Sequence, residues 1–403
     1  MTGLRLALVK PHFGVAGGFE SVVDRVEATL RADGHQVTRL PLDLTRLALQ
    51  PYGTVVPPEI HALAPEYVRY LSAVEVCDRV ALRRIDAVVS TQPPSFAVPH
   101  PRHLSLFFHH QRVFYDLEDV YLEAGFAPDP DLHRHTAARV RALDRSRLDR
   151  VRWFAAGSET VRRRLGHFNG IDRVSLFHAG IAVDGTGDVA PGARRDGPVL
   201  CVGRLEFPKR PELFVAALRR LPHVPATVVG TGGRAAWVRA VDHRLARLGT
   251  DLDAVDDRRL WCCRPHDDDP APEGWRSNVE LVGRVDDTTL ARLYATSPCV
   301  VAPAYDEDYG LTAVEAMAHG APVVVCEDGG GLADLVEHEV DGLVVAPTGA
   351  AIAAAVERVL TDADLAEALA VGARARAART TWARADDEIR AALALTMEEA
   401  EAG

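Results

Sequence analysis

The sequence predicts an α/β protein made of two doubly wound halves, each a parallel sheet with helices on both faces. Its 403 residues predict two domains at roughly 100–200 residues per domain, and three domains are also compatible with this length. Short apolar runs alternate with longer helical patterns along the whole chain, which is typical of parallel sheets buried on both faces. Near the middle, Gly185–Gly197 is rich in Gly and charge and has no apolar period, so we interpret it as the linker between the halves.

Apolar runs and amphipathic patterns define the predicted elements. The apolar runs are short, as buried strands are, whereas the amphipathic patterns have the length and period of helices. The predicted strands are Leu4–Val9, Gln36–Leu42, Asp86–Ser90, His103–Phe108, Pro198–Val202, Ala226–Gly230, Val279–Val282, Cys299–Ala302, Val323–Cys326 and Leu343–Val345. The predicted helices are Gly18–Ala32, Leu132–Leu148, Pro211–Leu221, Arg234–Leu248, Thr288–Thr296, Leu311–His319, Ala350–Leu360 with an Ala-rich continuation, and Trp382–Leu395.

Composition excludes several classes of function. The chain has 46 Lys plus Arg against 57 Asp plus Glu and a net charge of −11, whereas nucleic-acid binders need a basic face. No apolar run approaches the about 18 residues of a membrane-spanning helix, and the first strand has no charged leader before it. The cysteines form no Cys-x-x-Cys pair, which argues against a disulfide framework. We therefore expect a protein of the cytoplasm. The cysteines are Cys77, Cys201, Cys262, Cys263, Cys299 and Cys326.

An acidic segment, Asp251–Pro272, interrupts the alternation of strands and helices. We favour its interpretation as a solvated surface insertion. The alternative is a metal site built from Cys262, Cys263, His266 and Asp267–Asp269. Adjacent cysteines cannot easily both face one tetrahedral ion, so no metal is expected.

The segment Pro303–Val324 carries the strongest functional signal. A buried strand ends in a polar loop, Gly310 follows, and a helix opens at Leu311. Unpaired N–H groups at such a helix start suit a phosphate. Acids at the start of a helix are explained by the helix dipole, which accounts for Glu307 but not for Glu315 among apolar neighbours. Two carboxylates here make sense as acceptors of hydrogen bonds from sugar hydroxyls.

The spacing Glu307-x7-Glu315, with Tyr309-Gly310 between them, resembles the retaining glycosyltransferases of family 4, which have the GT-B fold. By this resemblance Glu307 contacts the donor sugar and Glu315 the nucleotide ribose. The backbone from Tyr309 through Leu311 and Thr312 belongs to the same donor site.

A second cluster follows the strand that ends at Gly203. Arg204 and Lys209 lie five residues apart on a loop. Departure of a nucleoside diphosphate leaves negative charge on its β-phosphate, which preorganised cations stabilise in the transition state. The resemblance extends here, because the family places an Arg and a Lys at this spacing to hold the donor diphosphate.

Two elements of the first half are predicted to line the site. Gly17, Gly18 and Glu20 fit a Gly-Gly-x-Glu element that the family has after its first strand. His109 and His110 follow an apolar strand, at the end where doubly wound sheets bind ligands. The family keeps a histidine there, close to the sugar. Successive strand residues face opposite sides, so one of the two is expected to reach the cleft, and which one stays open.

Weaker matches extend the resemblance over nearly the whole chain. The turn at Gly230 resembles a glycine-rich turn that shapes the nucleotide cleft, and Gly283, Arg284 and Val285 resemble a loop that contacts the base. Further similar segments are Gly329–Gly331, Asp341–Gly342 and Phe177–Ile181.

The resemblance implies two Rossmann-like domains that face each other across a cleft. Residues 1–185 would bind the acceptor, residues 186–378 the nucleotide sugar, and the helix in 379–403 would cross back to the first domain. The implied reaction moves a sugar from a UDP- or GDP-linked donor to an acceptor hydroxyl with retention of configuration. It needs no metal ion and no cofactor beyond the donor itself.

Two other functions stay open, a sugar-nucleotide epimerase of the same architecture and a non-catalytic sugar-nucleotide-binding protein. The base, the sugar and the acceptor are not specified by the sequence, because acceptor loops vary within a shared fold. The arginine-rich stretch Leu132–Trp153 leaves peripheral contact with anionic lipid open. Its spacing favours a solvated helix with internal ion pairs.

Overall fold

The structure is a computed structural model that describes residues 3–14, 18–181, 195–249, 251–266 and 270–398. Gly17, most of the predicted linker and Asp267–Asp269 lie outside the described residues. The chain divides into two compact units. Unit 1 comprises Met1–Gly180 and Trp382–Gly403, and unit 2 comprises Ile181–Thr381. The sequence analysis predicted domain boundaries at 185/186 and 378/379.

Unit 1 is built on a six-stranded parallel sheet. Its strands are β1 (Arg5–His12), β2 (Gln36–Asp43), β3 (Ala87–Ser90), β4 (His103–Phe107), β5 (Trp153–Ala156) and β6 (Val174–Leu176). Its first helices are α1 (Gly18–Ala32), α2 (Pro58–Leu63), α3 (Pro65–Asp78), α4 (Glu118–Glu123), α5 (Pro130–Leu148) and α6 (Glu159–Asn169). The strand order β2-β1-β3-β4-β5-β6 reverses direction between β1 and β3.

Unit 2 has a second six-stranded parallel sheet. Its strands are β7 (Val199–Val202), β8 (Ala226–Val229), β9 (Val279–Gly283), β10 (Val300–Ala302), β11 (Val323–Cys326) and β12 (Gly342–Val345). Its helices are α7 (Pro211–Arg219), α8 (Ala235–Leu248), α9 (Asp257–Trp261), α10 (Asp287–Thr296), α11 (Leu311–Ala318), α12 (Gly331–Leu335), α13 (Gly349–Thr361) and α14 (Ala363–Ala377). The order β12-β11-β10-β7-β8-β9 reverses between β7 and β10.

The last helix, α15 (Trp382–Glu398), belongs to unit 1. Asp386 on this helix accepts hydrogen bonds from the side chains of Arg25 and Thr29 on α1, both at 2.6 Å. Glu388 accepts from the backbone N–H of His178 at 2.6 Å. Charged pairs and buried apolar side chains therefore fasten the end of the chain onto the first sheet.

The central strands explain why the alternation was visible in the sequence. All four residues of β3 and all five of β4 are buried, as are the four of β11, and most of these residues are apolar, as expected for strands covered on both faces. The predicted strand at each of these places is confirmed. Two strands of unit 1 escaped prediction, the four-residue β5 and the half-buried, three-residue edge strand β6. Helices α2, α3, α4 and α6 were missed as well.

The segment Asp251–Pro272 is not a solvated insertion, and that prediction is wrong. It contains α9, capped by Asp256, whose side chain accepts from the backbone of Arg258 and Arg259. Trp261 is 2% exposed, and Leu260 and Cys262 beside it are buried too. Several acids of the described part are exposed, but Asp257 is half-buried and accepts a hydrogen bond from the backbone N–H of Gly349 at 2.8 Å, so the segment packs into unit 2. In the described part of the chain, no cluster of three or more His, Cys, Asp or Glu could hold a metal ion.

One helix of unit 2 touches a neighbouring backbone so closely that it requires glycine. A β-carbon on Gly372, in α14, would lie 1.9 Å from the carbonyl oxygen of Val340. Gly166, in α6, has Ile171 O at 3.8 Å as its nearest such neighbour. Replacing glycine by alanine inside a helix ordinarily stabilises it by about 1 kcal/mol.

We expect Gly372→Ala to lower the free energy of unfolding by about 1–3 kcal/mol, because the clash is with backbone and not with a flexible side chain. Gly166→Ala, the matched control, should leave it unchanged or raise it by up to about 1 kcal/mol. Urea denaturation of both variants measures this. Equal stabilisation of the two would show that α14 does not approach Val340 this closely.

Candidate active site

The residues predicted for the donor site in unit 2 converge on one edge of its sheet. Arg204 follows β7, Gly230 follows β8, Arg284 follows β9, and Glu307 follows β10. These four strands are neighbours in the order β10-β7-β8-β9 and run parallel. Their carboxyl ends therefore meet at the same edge, beside the point where the strand order reverses, which is where such sheets bind ligands.

Two of the strand-end loops run against each other, backbone to backbone. Gly203 N–H donates to Val229 O at 3.0 Å, and Leu205 N–H donates to Thr231 O at 3.0 Å. A β-carbon on Gly230 would lie 1.9 Å from Gly203 O, and one on Gly232 would lie 2.3 Å from Leu205 O. The glycines of this turn are therefore required by loop packing, whatever else they contact.

Lys209 and Glu307, nearly a hundred residues apart in the chain, form an ion pair. Lys209 ends a short 3₁₀ turn, Phe207–Lys209, and its side chain is 30% exposed, against 12% for that of Glu307. The sequence holds 44 arginines and two lysines, Lys10 and Lys209. A chain that uses arginine almost everywhere has a compact, flexible ammonium group at this position.

The loop that carries Glu307 is fixed by the glycine turn after β11. Glu307 N–H donates to Gly329 O at 2.9 Å, and its carbonyl accepts from Gly331 N–H at 2.7 Å. Gly330 adopts φ +58°, and a β-carbon there would lie 2.8 Å from Glu307 O. Asp306, before Glu307, also has a positive φ of 43°, a conformation that costs energy in a residue other than glycine. The backbone at Glu307 is thus held in a conformation that it would not adopt alone.

Arg210 is a positioning residue that the sequence analysis missed. It is fully buried, with φ +51°, and its guanidinium forms two hydrogen bonds to Asp328, at 2.8 and 2.6 Å. It also donates to the carbonyl of Ala304 at 3.1 Å. A buried charge needs such complete pairing, and this one ties the residue beside Lys209 to the loops after β10 and β11. No sequence pattern links Arg210 to Asp328.

Aromatic rings cover this arginine. Its guanidinium carbon lies 5.1 Å from the ring centre of Trp261 and 5.6 Å from that of Tyr305, within cation–π range. Trp261 also packs against Phe207, with ring centres 5.6 Å apart. Tyr305 N–H donates to Pro208 O at 2.7 Å. The segment around α9 therefore supports both the turn that carries Lys209 and the loop that carries Glu307.

Glu315 lies on α11, whose N-cap is Gly310 with φ +99°. Its carboxylate accepts a long hydrogen bond, 3.4 Å, from the hydroxyl of buried Tyr294. Burial raises the pKa of Glu315 to about 7. In the described structure no backbone acceptor takes the N–H groups of Leu311 and Thr312, as expected for the first turn of a helix. Within the described structure, helix α11 thus combines unpaired N–H groups at its start with a carboxyl whose pKa lies near neutrality.

Arg204 and Arg284 are both exposed beyond the ends of their strands. Within the described ranges, no hydrogen bond or ion pair engages the Arg204 side chain. Its guanidinium is accordingly available to a ligand at the strand edge, whereas Lys209 already has a carboxylate partner. Val285, beside Arg284, and Tyr309, on the loop after β10, are both half-buried.

In unit 1 the structure separates the two predicted histidines. His110 is 1% exposed, and its Nε2 lies 2.7 Å from Asn169 Oδ1. Its ring stacks on that of Tyr115 at 4.1 Å, so His110 is a core residue, which leaves His109 as the candidate site residue. His109 is half-buried, and its Nδ1–H donates to the carbonyl of His110 at 2.6 Å.

The glycine element after β1 is only partly described. Gly18 begins α1, and Glu20 in its first turn forms a 2.8 Å ion pair with Lys10. Both lysines of the chain are thus paired with a glutamate near the first strand of their unit. Nothing in these contacts assigns Glu20 a ligand.

Part of the chain is similar in sequence to known glycosyltransferases. Residues 272–376 match the family model of glycosyl transferases group 1. D-inositol 3-phosphate glycosyltransferase of Frankia alni is 33% identical over 226 residues, 52% of this chain and 50% of that protein. Glycogen synthase of Mycobacterium tuberculosis is 32% identical over 191 residues, 45% of this chain and 39% of that protein. The alignments with these curated relatives span half of their length or less.

Solved structures extend the similarity to nearly the whole chain. Sucrose-phosphate synthase from Thermosynechococcus elongatus superposes with a TM-score of 0.67 at 21% identity, covering 96% of this chain and 97% of that one. Anabaena HepE in complex with UDP-glucose superposes with a TM-score of 0.64 at 16% identity, covering 97% and 99%. The prediction of the GT-B fold class is confirmed. The stretch 272–376, which matches the group 1 family model, includes Glu307 and Glu315. None of the helices in the described ranges has the length and apolar character needed to span a bilayer.

The raised pKa of Glu315 makes stability depend on pH. Below pH about 4.5 the carboxyl is neutral in the folded and the unfolded chain alike. As the pH rises toward about 7, the unfolded chain ionises while the folded one stays protonated, so stability falls. The loss amounts to roughly 2–3 kcal/mol, since one pKa unit corresponds to about 1.4 kcal/mol.

Glu315→Gln should therefore reduce the difference in unfolding free energy between pH 5 and pH 8 by roughly 2–3 kcal/mol. The exposed Glu280 offers a matched control, because Glu280→Gln should leave the wild-type slope intact. Urea denaturation at a series of pH values measures both. A wild-type slope in Glu315→Gln would show that Glu315 is not buried as described.

Proposed function

We propose that the protein is a retaining glycosyltransferase that moves a sugar from a UDP- or GDP-linked donor to an acceptor hydroxyl without a metal ion. The observation that carries the proposal is the pairing of Lys209 with Glu307 at the carboxyl edge of the second sheet, with Arg204 on the same strand-end loop. A cation for the diphosphate and a carboxylate for the sugar are thereby brought to one place.

The leaving group sets the electrostatic requirement of this reaction. The bond between the sugar C1 and the diphosphate oxygen breaks, and two negative charges gather on the departing β-phosphate. Arg204, Lys209 and the N–H groups of Leu311 and Thr312 would stabilise that charge, and preorganised donors are worth most where charge develops. With this positive potential supplied by side chains and backbone, the proposed reaction needs no metal ion.

Retention follows if the acceptor attacks from the face that the diphosphate leaves. The acceptor oxygen bonds to C1 while its proton passes to the departing phosphate oxygen, so the proposal needs no nucleophile from the protein. The main requirement is positioning of the two reactants. His109 is the unit 1 residue proposed to contact the sugar, in keeping with the family resemblance.

The two glutamates would bind the donor on either side of the diphosphate, Glu307 at the sugar and Glu315 at the ribose. Both roles come from the family resemblance. The ion pair between Lys209 and Glu307 must open when the donor binds, because the ammonium then moves toward phosphate and the carboxylate accepts from sugar hydroxyls. The flexible stem of lysine permits this exchange, whereas the fork of an arginine would hold the carboxylate in two bonds.

Nucleotide binding tests the donor site directly. We expect UDP or GDP to raise the melting temperature, because a ligand that binds only the folded state stabilises it by mass action. Thermal-shift measurements with UDP, GDP and dTDP at equal concentrations identify the base. Glu315→Gln should weaken the shift through loss of the ribose contact. The absence of any shift with all three nucleotides would contradict a nucleotide-sugar enzyme.

Substitution of the two cations tests the leaving-group role. Arg204→Ala and Lys209→Ala should each lower turnover by roughly 10²–10³-fold, the usual cost of one preorganised donor. Arg259→Ala is the matched control, because that side chain is 87% exposed and pairs with Asp256, three residues before it. Turnover is measured by NMR, which also reports the anomeric configuration of the product, with and without EDTA.

Each outcome of that assay bears on the proposal. Near-normal turnover in both alanine variants would contradict the assignment, and so would inversion of configuration or loss of activity in EDTA. Conversion of the donor to an isomer when no acceptor is present would favour an epimerase instead. Binding of the donor without turnover over any acceptor would favour a non-catalytic binding protein.

A further inference from the structure

A cavity of about 160 Å³ lies within unit 1 where four strands of the first sheet end. Its wall includes Phe13 after β1, Leu44 after β2, Pro93 after β3 and Gln111 after β4, together with one side of α3. The strand order of this sheet reverses between β1 and β3. The cavity therefore occupies the position at which doubly wound sheets bind small molecules.

Most of the wall is apolar, and the one hydroxyl group among its described residues, that of Tyr70, is bonded to a buried carboxylate. Tyr70 is 4% exposed, and its hydroxyl lies 2.9 Å from both carboxylate oxygens of buried Asp144. Asp144 also accepts from the hydroxyl of Tyr115 at 2.8 Å. Because this network engages the Tyr70 hydroxyl in the core, Tyr70 offers the cavity its ring carbons, beside Leu44 and Ala73.

The charged residues of the wall cancel each other. Glu66 and Arg69 lie three residues apart on α3 and both line the cavity. A phosphate group would meet one guanidinium and one repelling carboxylate there. Among the described wall residues the remaining polar side chain is that of Gln111, whose amide can both donate and accept hydrogen bonds. The cavity thus favours a neutral ligand with few polar groups.

The volume of the cavity agrees with a ligand that has a single six-membered ring. An apolar cavity of about 150 Å³ accepts benzene, so one six-membered ring with a hydroxyl fills the space described here. A polyol would bury several hydroxyls against Leu44, Ala73 and the ring of Tyr70. Each would lose its hydrogen bonds to water without a replacement.

We propose that this cavity binds the acceptor, and that the acceptor is a single-ring, largely apolar alcohol of the phenol or cyclohexanol class. The assignment as acceptor rests on the proposed function, whereas the binding of such a ring does not. This proposed acceptor class distinguishes the chain from its Frankia relative, whose name specifies an inositol phosphate. The hydroxyl of the ring supplies the oxygen that bonds to the sugar C1, and its proton leaves with the diphosphate.

The test compares two tryptophan variants of one loop. Leu47 is half-buried and lines the cavity, whereas Leu49 is 40% exposed and is not part of the wall. Calorimetric titration of the full chain with 4-methylphenol should give the same Kd for wild type and Leu49→Trp. Leu47→Trp should weaken binding roughly tenfold or more, equivalent to about 1.4 kcal/mol, because the indole fills the space. D-inositol 3-phosphate should bind more weakly than 4-methylphenol to the wild type.

Other results would overturn the proposal. They are equal effects of the two tryptophan variants, no binding of 4-methylphenol, or tighter binding of D-inositol 3-phosphate. Incubation with the nucleotide sugar whose nucleotide binds should yield a 4-methylphenyl glycoside, and its absence despite binding of both substrates would refute the acceptor role. Failure of the proposed function is distinguishable, because it would abolish the nucleotide-dependent thermal shift and leave the titration with 4-methylphenol unchanged.

Discussion

The edge of the second sheet depends on one buried guanidinium. Arg210 is inaccessible to solvent, and its hydrogen bonds reach Asp328 and the backbone after β10. Removing a charge from water is costly unless every donor finds a partner in good geometry, so the loops after β7, β10 and β11 can be arranged in only a few ways. Lys209 and Glu307 lie on these loops, and their meeting is a consequence of that arrangement.

A second constraint is the close approach of backbones around the same edge. Gly230 lies where any side chain would collide with Gly203, and Gly330 lies against the backbone of Glu307. Glycine-rich turns at strand ends are often interpreted as phosphate-binding loops. Here the packing of the loops already requires glycine, so these positions give weaker support for a ligand than the charged side chains do. Arg204, Lys209 and Glu315 have no comparable packing requirement.

The two units present different chemistry at the ends of their strands. Unit 2 offers cations, carboxylates and the start of α11, which suit a charged, polar ligand. Unit 1 offers a small cavity with a mostly apolar wall, in which the hydroxyl of Tyr70 is bonded to buried Asp144. A reaction between a nucleotide sugar and an apolar alcohol uses both kinds of surface.

The fold class, the central strands and the convergence of the candidate site residues on one edge of the second sheet could be predicted from the sequence. Each of these depends on local order along the chain: a buried parallel strand is a continuous apolar run, and residues that follow such strands must meet at one edge. The Glu307-x7-Glu315 spacing lies within a single loop and helix and was visible for the same reason. The edge strand β6 and the short strand β5 were not predicted, because three or four residues are too few to show a recognisable hydrophobic pattern.

Contacts between residues that are distant along the chain could not be predicted from the sequence and required the three-dimensional structure. The acidic segment 251–272 looked solvated, yet it buries Trp261 against Phe207 and Tyr305, because a few apolar residues among many acids are enough to anchor it. The sequence did not distinguish His109 from His110, whereas the structure buries His110 in the core and leaves His109 half-buried. The pairs Arg210–Asp328 and Tyr70–Asp144 join parts of the chain more than 70 residues apart, and such pairing has no local signature, since it is set by the packing of elements and not by their order.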